Sequence, residues 1–190
     1  MKNSVKITQL GVGLILTLIF LSSCDKLKDK LFEAFTTGMT DVNVTIPIVT
    51  NTAGEGKTET LPVFINVDSI IKANTGGFFS LNSVSRIVVE SADLTVSNAD
   101  QANNMANFEY GILLMNTFNP QKNEWNSTMG IGRSDIPDSY ASSINFAVVP
   151  DVNLKDHLQG TKLIYLYAYK ARRPTTKALN GTIKMKIKIE

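Results

Sequence analysis

Apolar and polar residues alternate with a period of two along several segments, which is the pattern of β-strands with one buried face. The clearest run covers residues 183–189, where the apolar positions are Ile183, Met185, Ile187 and Ile189 and the polar ones are Lys184, Lys186 and Lys188. The segment 162–170 alternates in the same way, with one face formed by Leu163, Tyr165, Tyr167 and Tyr169. Both segments are therefore predicted to be strands.

Weaker alternation predicts further strands at 42–49, 61–67, 85–97, 108–118 and 144–148. A bend or bulge is expected near 91–93, and Pro47 marks the strand at 42–49 as an edge strand. The buried face of the segment 108–118 is expected to consist of Phe108, Tyr110, Ile112 and Leu114.

Helical patterns are short. An apolar stripe at i, i+4 and i+8 predicts a helix over 25–35 that ends near Gly38. A single helical turn at 68–73, capped by Asp68, and a short helix at 153–159 complete the helical set. Residues 119–137 are expected to form a long polar loop.

These elements predict an all-β fold, namely an antiparallel β-sandwich of immunoglobulin-like or Greek-key type. The expected content is seven to eight strands with one or two short helices. No long amphipathic helix connects successive strands, so a parallel α/β sheet is disfavoured.

The N-terminus carries a targeting pattern. Lys2 and Lys6 precede the apolar run 10–21, whose 12 residues are too few for a membrane span and suit a secretory signal. The sequence Leu21-Ser22-Ser23-Cys24 that follows resembles the lipobox of bacterial lipoproteins. The resemblance implies cleavage between Ser23 and Cys24, acyl chains on Cys24, and attachment of the protein to a membrane.

The expected division of the chain is a signal peptide at 1–23, a lipid-anchored tether with a short helix at 24–40, and a β-sandwich domain at 41–190. With a Leu-Lys-Asp-x-Leu segment at 154–158, this pattern resembles the small β-sandwich lipoproteins of Bacteroidetes-type bacteria. That resemblance implies a bacterial cell envelope location, with the outer membrane favoured and the orientation left open.

Charge is divided along the chain. The 19 Lys and Arg exceed the 17 Asp and Glu only through the two lysines of the signal segment. Residues 24–161 hold 9 basic and 16 acidic side chains, whereas residues 162–190 hold 8 basic and 1 acidic. The cations considered as ligand contacts are Arg172, Arg173, Lys184, Lys186 and Lys188.

The lysines of the last strand form an expected positive ridge with three interpretations. They contact lipid phosphates, acidic glycan or an acidic partner; they protect an edge strand from aggregation; or the basic and acidic segments interleave and cancel. Nucleic acid is disfavoured as a partner of an exported, anchored protein.

Candidate chemistry is sparse. One Cys and one His exclude a multi-Cys metal site and leave little for His-based catalysis, and no cofactor or metal is predicted. Trp125, the single tryptophan, stands among amide side chains and either stacks on a sugar ring or anchors its loop on the core.

The sequence therefore favours a lipid-anchored, non-enzymatic envelope module that binds glycan, lipid head groups or a protein partner. One alternative is a polysaccharide hydrolase with a carboxylate pair such as Asp135 with Asp138, or Glu90 with Asp93. Another is a structural subunit that adds a strand to its partner.

Overall fold

The computed structural model describes residues 32–190, together with the side chains of all of these except Leu61. The signal peptide, the Ser23–Cys24 cleavage site and most of the helix expected at 25–35 lie outside the described residues. Within the described range no helix is long and apolar enough to cross a membrane.

Twelve antiparallel strands in residues 32–190 form two sheets, which confirms the predicted antiparallel β-sandwich. The five-stranded sheet contains β1 (Phe35–Gly38), β2 (Val42–Ile46), β5 (Ile87–Val96), β9 (Ser143–Asn145) and β12 (Leu179–Ile189). The seven-stranded sheet contains β3 (Glu55–Lys57), β4 (Leu61–Phe64), β6 (Phe108–Asn119), β7 (Glu124–Trp125), β8 (Met129–Asp135), β10 (Ala147–Val148) and β11 (Lys162–Ala171). There are more strands than the expected seven or eight because six of the twelve have four residues or fewer.

The two clearest period-two runs are strands whose apolar faces form the core. Tyr165 and Tyr167 of β11 and Ile187 of β12 are at most 2% exposed. β12 is not an edge strand, because β1 and β2 pair with one of its sides and β5 with the other. The interpretation of its lysines as edge protection is therefore wrong.

The chain passes from one sheet to the other at Phe146. This buried residue separates β9 of the five-stranded sheet from β10 of the seven-stranded sheet. In β5 the predicted bulge is present, because the register with β12 shifts between the pairs Lys186–Ser91 and Ile187–Val89. One residue, Glu90, is thereby left without a partner position.

The predicted buried face of β6 is wrong beyond its first residue. Phe108 pairs with Ala171 and Tyr110 pairs with Lys170, so Glu109 is an extra residue of β6 without a partner position on β11. This β-bulge shifts the register between the two strands. The inward face then continues through Gly111, Leu113 and Met115. Tyr110, Ile112 and Leu114 consequently lie half-exposed on the outer face.

Helix α1 (Val67–Asn74) is longer than the predicted turn and has a different cap. The side chain of Asn66 accepts a hydrogen bond from the Ser69 amide at 3.0 Å. Asp68 lies in the first turn, where it accepts from the Leu81 amide at 2.8 Å and pairs with Lys72. Val67 belongs to the helix and is buried, so the strand expected over 61–67 ends early.

Three short 3₁₀ segments complete the fold, at Leu81–Ser83, Met105–Asn107 and His157–Gln159. Of the helix expected at 153–159, only this last 3₁₀ segment, His157–Gln159, is present. At the N-terminal side, the compact unit Phe35–Glu190 begins inside the segment assigned to the tether. Phe35 and Gly38 bound strand β1, because their backbone pairs with β12, so neither belongs to the expected helix.

Candidate ligand-binding cleft

The outer face of the five-stranded sheet carries two parallel rows of polar side chains across β12, β5 and β9. One row consists of Lys184, Asp93 and Asn145, and the other of Thr182, Thr95 and Ser143. The positions between the rows face inward and are buried: Ile183, Leu94 and Ile144. Strand spacing gives this grid a size of about 10 Å by 7 Å.

These six residues and Ser97 line a cleft of about 370 Å³. That volume lies within the range of small-molecule sites, which run from about 300 to 1,000 Å³. The lining contains no aromatic and no large aliphatic side chain. A ligand held there would contact both the carbon atoms and the hydrogen-bonding groups of these side chains.

Four side chains of the grid have free hydrogen-bonding capacity. Within residues 32–190, the Asp93 carboxylate, the Asn145 amide and the hydroxyls of Thr95 and Ser143 make no hydrogen bond or ion pair. Together they present both donors and acceptors to one volume.

The remaining lining residues are engaged at the margin of the cleft. Thr182 donates from its hydroxyl to the Asn43 amide oxygen at 3.2 Å. Ser97 donates to the Asn180 carbonyl at 3.1 Å. These bonds hold the margin in place while the centre of the cleft stays available.

The cleft has no strong excess charge. The Lys184 ammonium lies 3.7 Å from an oxygen of Asp41, and Asp93 is its cross-strand neighbour on the other side. Lys184 and Asp93 are the two charged residues of the lining and offset each other, while Asp41 adds a negative charge beside the cleft. The expected uniform positive ridge is therefore interrupted at Lys184.

The other two lysines of β12 lie outside the cleft. Lys188 pairs with Glu190 at 2.6 Å, and its ammonium holds the pKa of the Glu190 carboxyl below the ordinary value. Lys186 is exposed and forms no ion pair with any residue in the range 32–190. The three lysines share one face of β12, but only Lys184 reaches the polar grid.

Arg172 and Arg173 hold two loops together. Arg172 donates to the carbonyls of Ala106 and Ile136 at 2.8 and 2.9 Å. Arg173 donates to the same Ala106 carbonyl at 3.0 Å and to Asp138 at 2.6 Å. Their guanidinium groups thus have partners within the fold.

Trp125 lies in β7 of the seven-stranded sheet and not in an extended loop, because residues 118 and 119 pair with 125 and 124 in a hairpin. Its side chain is 37% exposed and meets the Phe118 ring edge-on at 5.5 Å between centroids. The Lys162 ammonium is 5.3 Å from the centroid of Trp125. The structure therefore places Trp125 on a different sheet from the polar grid.

A second cleft, of about 520 Å³, is lined by Lys57, Thr58, Glu59, Thr60 and Leu166. It contains one acidic residue, as the polar cleft does. Of the acids considered for a hydrolase, Asp135 pairs with Arg133 and Asp138 with Arg173. In the described part of the chain no group of three His, Cys, Asp or Glu side chains could hold a metal ion.

Lys184 was predicted as a ligand contact and Asp93 as a member of a carboxylate pair, whereas the other residues of the grid were not predicted. Thr182, Thr95 and Ser143 come from segments about 40 to 90 residues apart, so only the strand order brings them together. The available signal was local: outward positions of β5 and β9 carry short polar residues such as Thr95, Ser143 and Asn145, where long charged ones are common on solvated faces.

No family model matches the sequence, and no curated protein matches it. Among solved structures, the chain is similar to infectious bursal disease virus Gt strain (TM-score 0.38, 6% identity, 83% of this chain and 32% of that one). It is similar to the VP2 subviral particle of that virus (TM-score 0.36, 7% identity, 83% of this chain and 32% of that one). It is also similar to Desmodium yellow mottle tymovirus (TM-score 0.30, 14% identity, 79% of this chain and 86% of that one). The chain thus spans about a third of the first two proteins, and the likeness adds nothing to the fold described above.

Proposed function

We propose that this protein is a lipid-anchored, non-enzymatic module of the bacterial envelope that binds glycan through the polar cleft of the five-stranded sheet. Cleavage between Ser23 and Cys24 and acylation of Cys24 would attach it to the outer membrane. The lipobox pattern supports the anchor. The observation that supports the ligand class is the set of four unengaged polar side chains in one cleft of about 370 Å³.

Glycan fits this cleft better than a lipid head group or an acidic partner. A carboxylate accepts hydrogen bonds from two adjacent hydroxyls, while the side-chain amide of Asn145 both donates and accepts. Thr95 and Ser143 add hydroxyl groups, each of which can donate or accept a hydrogen bond. A strongly anionic ligand would meet Asp93 at the centre of the site, which disfavours phosphate-rich ligands.

Binding is tested with the full acylated chain in detergent micelles against an array of envelope glycan fragments. For any fragment that binds, the double variant Asp93→Ala/Asn145→Ala should weaken binding by about tenfold or more, because two sets of direct hydrogen bonds are lost. Lys186→Ala is the matched control: it lies on the same sheet face, outside the cleft, and should bind as the unaltered protein does.

Two results would contradict the glycan site. One is an array on which no fragment binds the unaltered protein. The other is a bound glycan whose affinity is unchanged in the double variant while the variant retains its fold by circular dichroism. Loss of binding in Lys186→Ala to the same extent would move the site away from the cleft.

The anchor is tested separately. Cells supplied with an alkyne analogue of palmitate should label the unaltered protein and leave Cys24→Ala unlabelled, and the unaltered protein should fractionate with the outer membrane. A labelled Cys24→Ala would refute the assignment of the acyl site. Glycan affinity should be the same in both proteins, so the two parts of the proposal fail independently.

A further inference from the structure

Three aromatic side chains and one lysine form a row across the outer face of the seven-stranded sheet. The row consists of Phe64 on β4, Lys162 on β11, Phe118 on β6 and Trp125 on β7. Phe64 pairs directly with Lys162, and Phe118 pairs with Trp125. The Lys162 ammonium lies 6.0 Å from the Phe118 centroid and closes the row. Four neighbouring strands give the row a length of about 14 Å.

This aromatic row is open to solvent on the described unit. Phe64 is 69% exposed and Trp125 is 37% exposed, and Lys162 is exposed between them. The row continues into outward-facing aliphatic side chains, because Ile164 follows on β11 with Pro62 opposite it. Exposed aromatic rings of this kind, beside aliphatic surface, mark a contact surface more often than isolated apolar residues do.

The aromatic row lies at the end of the sandwich where the domain begins. Phe35 pairs with Ile189, which pairs with Ile87 on its other side. The backbone of Leu154 bonds to the Ile87 carbonyl at 2.7 Å. Seven residues later, Thr161 accepts from the amide of Ile65, the neighbour of Phe64. One short segment, 154–161, therefore connects the Phe35 end of one sheet to the aromatic row on the other.

The length of chain before Phe35 limits how far this end can be from an acylated Cys24. Ten residues lie between the two positions, and the eleven residue-to-residue steps span about 40 Å at most in a fully extended chain. An acylated Cys24 would therefore tether the end that bears the aromatic row to within about 40 Å of the bilayer.

We propose that the aromatic row is the surface by which the lipidated protein rests on the bilayer, with Phe64 and Trp125 in the interfacial layer and Lys162 on lipid phosphate. Aromatic rings and lysines are the residues enriched at this depth. The ammonium beside the Trp125 ring favours lipid over sugar, because a stacking sugar would displace it whereas a phosphate would pair with it. The inference rests on the acyl anchor proposed above and is independent of the glycan cleft.

Trp125 is the single tryptophan of the chain and therefore reports its own environment. The full acylated protein is reconstituted into vesicles of phosphatidylethanolamine and phosphatidylglycerol, with and without bromine on the lipid acyl chains near the head group. We expect Trp125 emission to shift to shorter wavelength relative to Cys24→Ser in solution. We also expect the brominated lipid to quench it by about twofold or more.

The control moves the tryptophan to the opposite end of the sandwich. Tyr140 is 52% exposed and lies beside Ala141, which accepts from Met105, and Ser142, which accepts from Val96 at the far end of β5. Tyr140→Trp in a Trp125→Phe background should remain unquenched. A Phe64→Ser/Lys162→Glu variant should reduce the quenching of Trp125 without loss of acylation.

Each outcome is decisive. Mass spectrometry of the reconstituted protein is done first, and a chain without acyl groups contradicts both the anchor and the present inference. An acylated chain whose Trp125 is quenched no more than the tryptophan at position 140 overturns the present inference alone. A shift of Trp125 emission on addition of soluble glycan, without quenching by brominated lipid, would assign the aromatic row to sugar instead.

Discussion

The buried hydroxyl of Tyr167 offers a direct test of the packing at the centre of the sandwich. Tyr167 is fully buried, and within residues 32–190 its hydroxyl has no hydrogen-bond partner. Burial also raises the pKa of the phenol far above its ordinary value. The Tyr167 ring packs against two other rings. Its centroid lies 6.1 Å from that of Phe146, in an edge-on arrangement, and 5.7 Å from that of Tyr169.

Tyr167→Phe removes the unpartnered hydroxyl and keeps the ring. Mutational data place the cost of a buried hydroxyl without a partner at about 1–3 kcal/mol. Loss of the oxygen also removes dispersion contacts, which offsets part of this gain. We therefore expect the free energy of unfolding to rise by about 1 kcal/mol.

Tyr165→Phe is the matched control on the same strand. The Tyr165 hydroxyl lies 3.5 Å from the sulfur of Met39 and 3.9 Å from that of Met185, so it has weak partners. We expect a change of about 0.5 kcal/mol or less, without a gain. Urea unfolding followed by circular dichroism measures both variants. A Tyr167→Phe variant less stable than the unaltered protein would refute the reasoning. So would a Tyr165→Phe variant whose free energy of unfolding rises more than that of Tyr167→Phe.

Two further predictions concern a close approach in the core and the charge of a loop. In Gly111→Ala the new Cβ would lie 2.5 Å from the ring of Tyr167, so we expect the free energy of unfolding in urea to fall by about 2 kcal/mol. In the control Gly130→Ala the new Cβ meets nothing within 4 Å, so the free energy of unfolding should be nearly unchanged. The pKa of the Asp100 carboxyl is lowered to about 2, mainly by the hydrogen bond from Lys177. Its contribution to stability is therefore complete above the pKa of the unfolded chain, about 3.9, and is lost as the pH falls towards 2. Unfolding at several pH values should show a smaller acid loss in Asp100→Asn, and parallel curves would contradict this.

The strands best predicted from sequence are those in the interior of a sheet with one face on the core. In β11 and β12 every second residue is buried, so periodicity alone gave the correct face. The same reasoning failed in β6, because the bulge near its start reverses the phase and turns Gly111 inward beneath Tyr167. A glycine in an otherwise apolar run was the only sequence sign of that close approach.

The polar cleft was not predictable because it depends on strand order. Asp93, Asn145 and Lys184 become neighbours only when β5 pairs with β9 and β12, and no local pattern encodes those pairings. Trp125 shows the complementary case. Its residue type pointed to a contact surface, but its neighbours Phe118 and Lys162 emerged only from the hairpin and from the pairing of β6 with β11.

The central position of β12 has a consequence for the order of folding. β1, β2 and β5 all precede β12 in the chain; β1 and β2 pair in the five-stranded sheet only with β12, and β5, which also pairs with β9, joins them only through β12. During synthesis the sheet therefore cannot close until its middle strand has been made. Such long-range pairing slows folding and keeps the emerging chain open for longer. An open chain is the form that can be threaded across a membrane, so this order of pairing is compatible with the export proposed above.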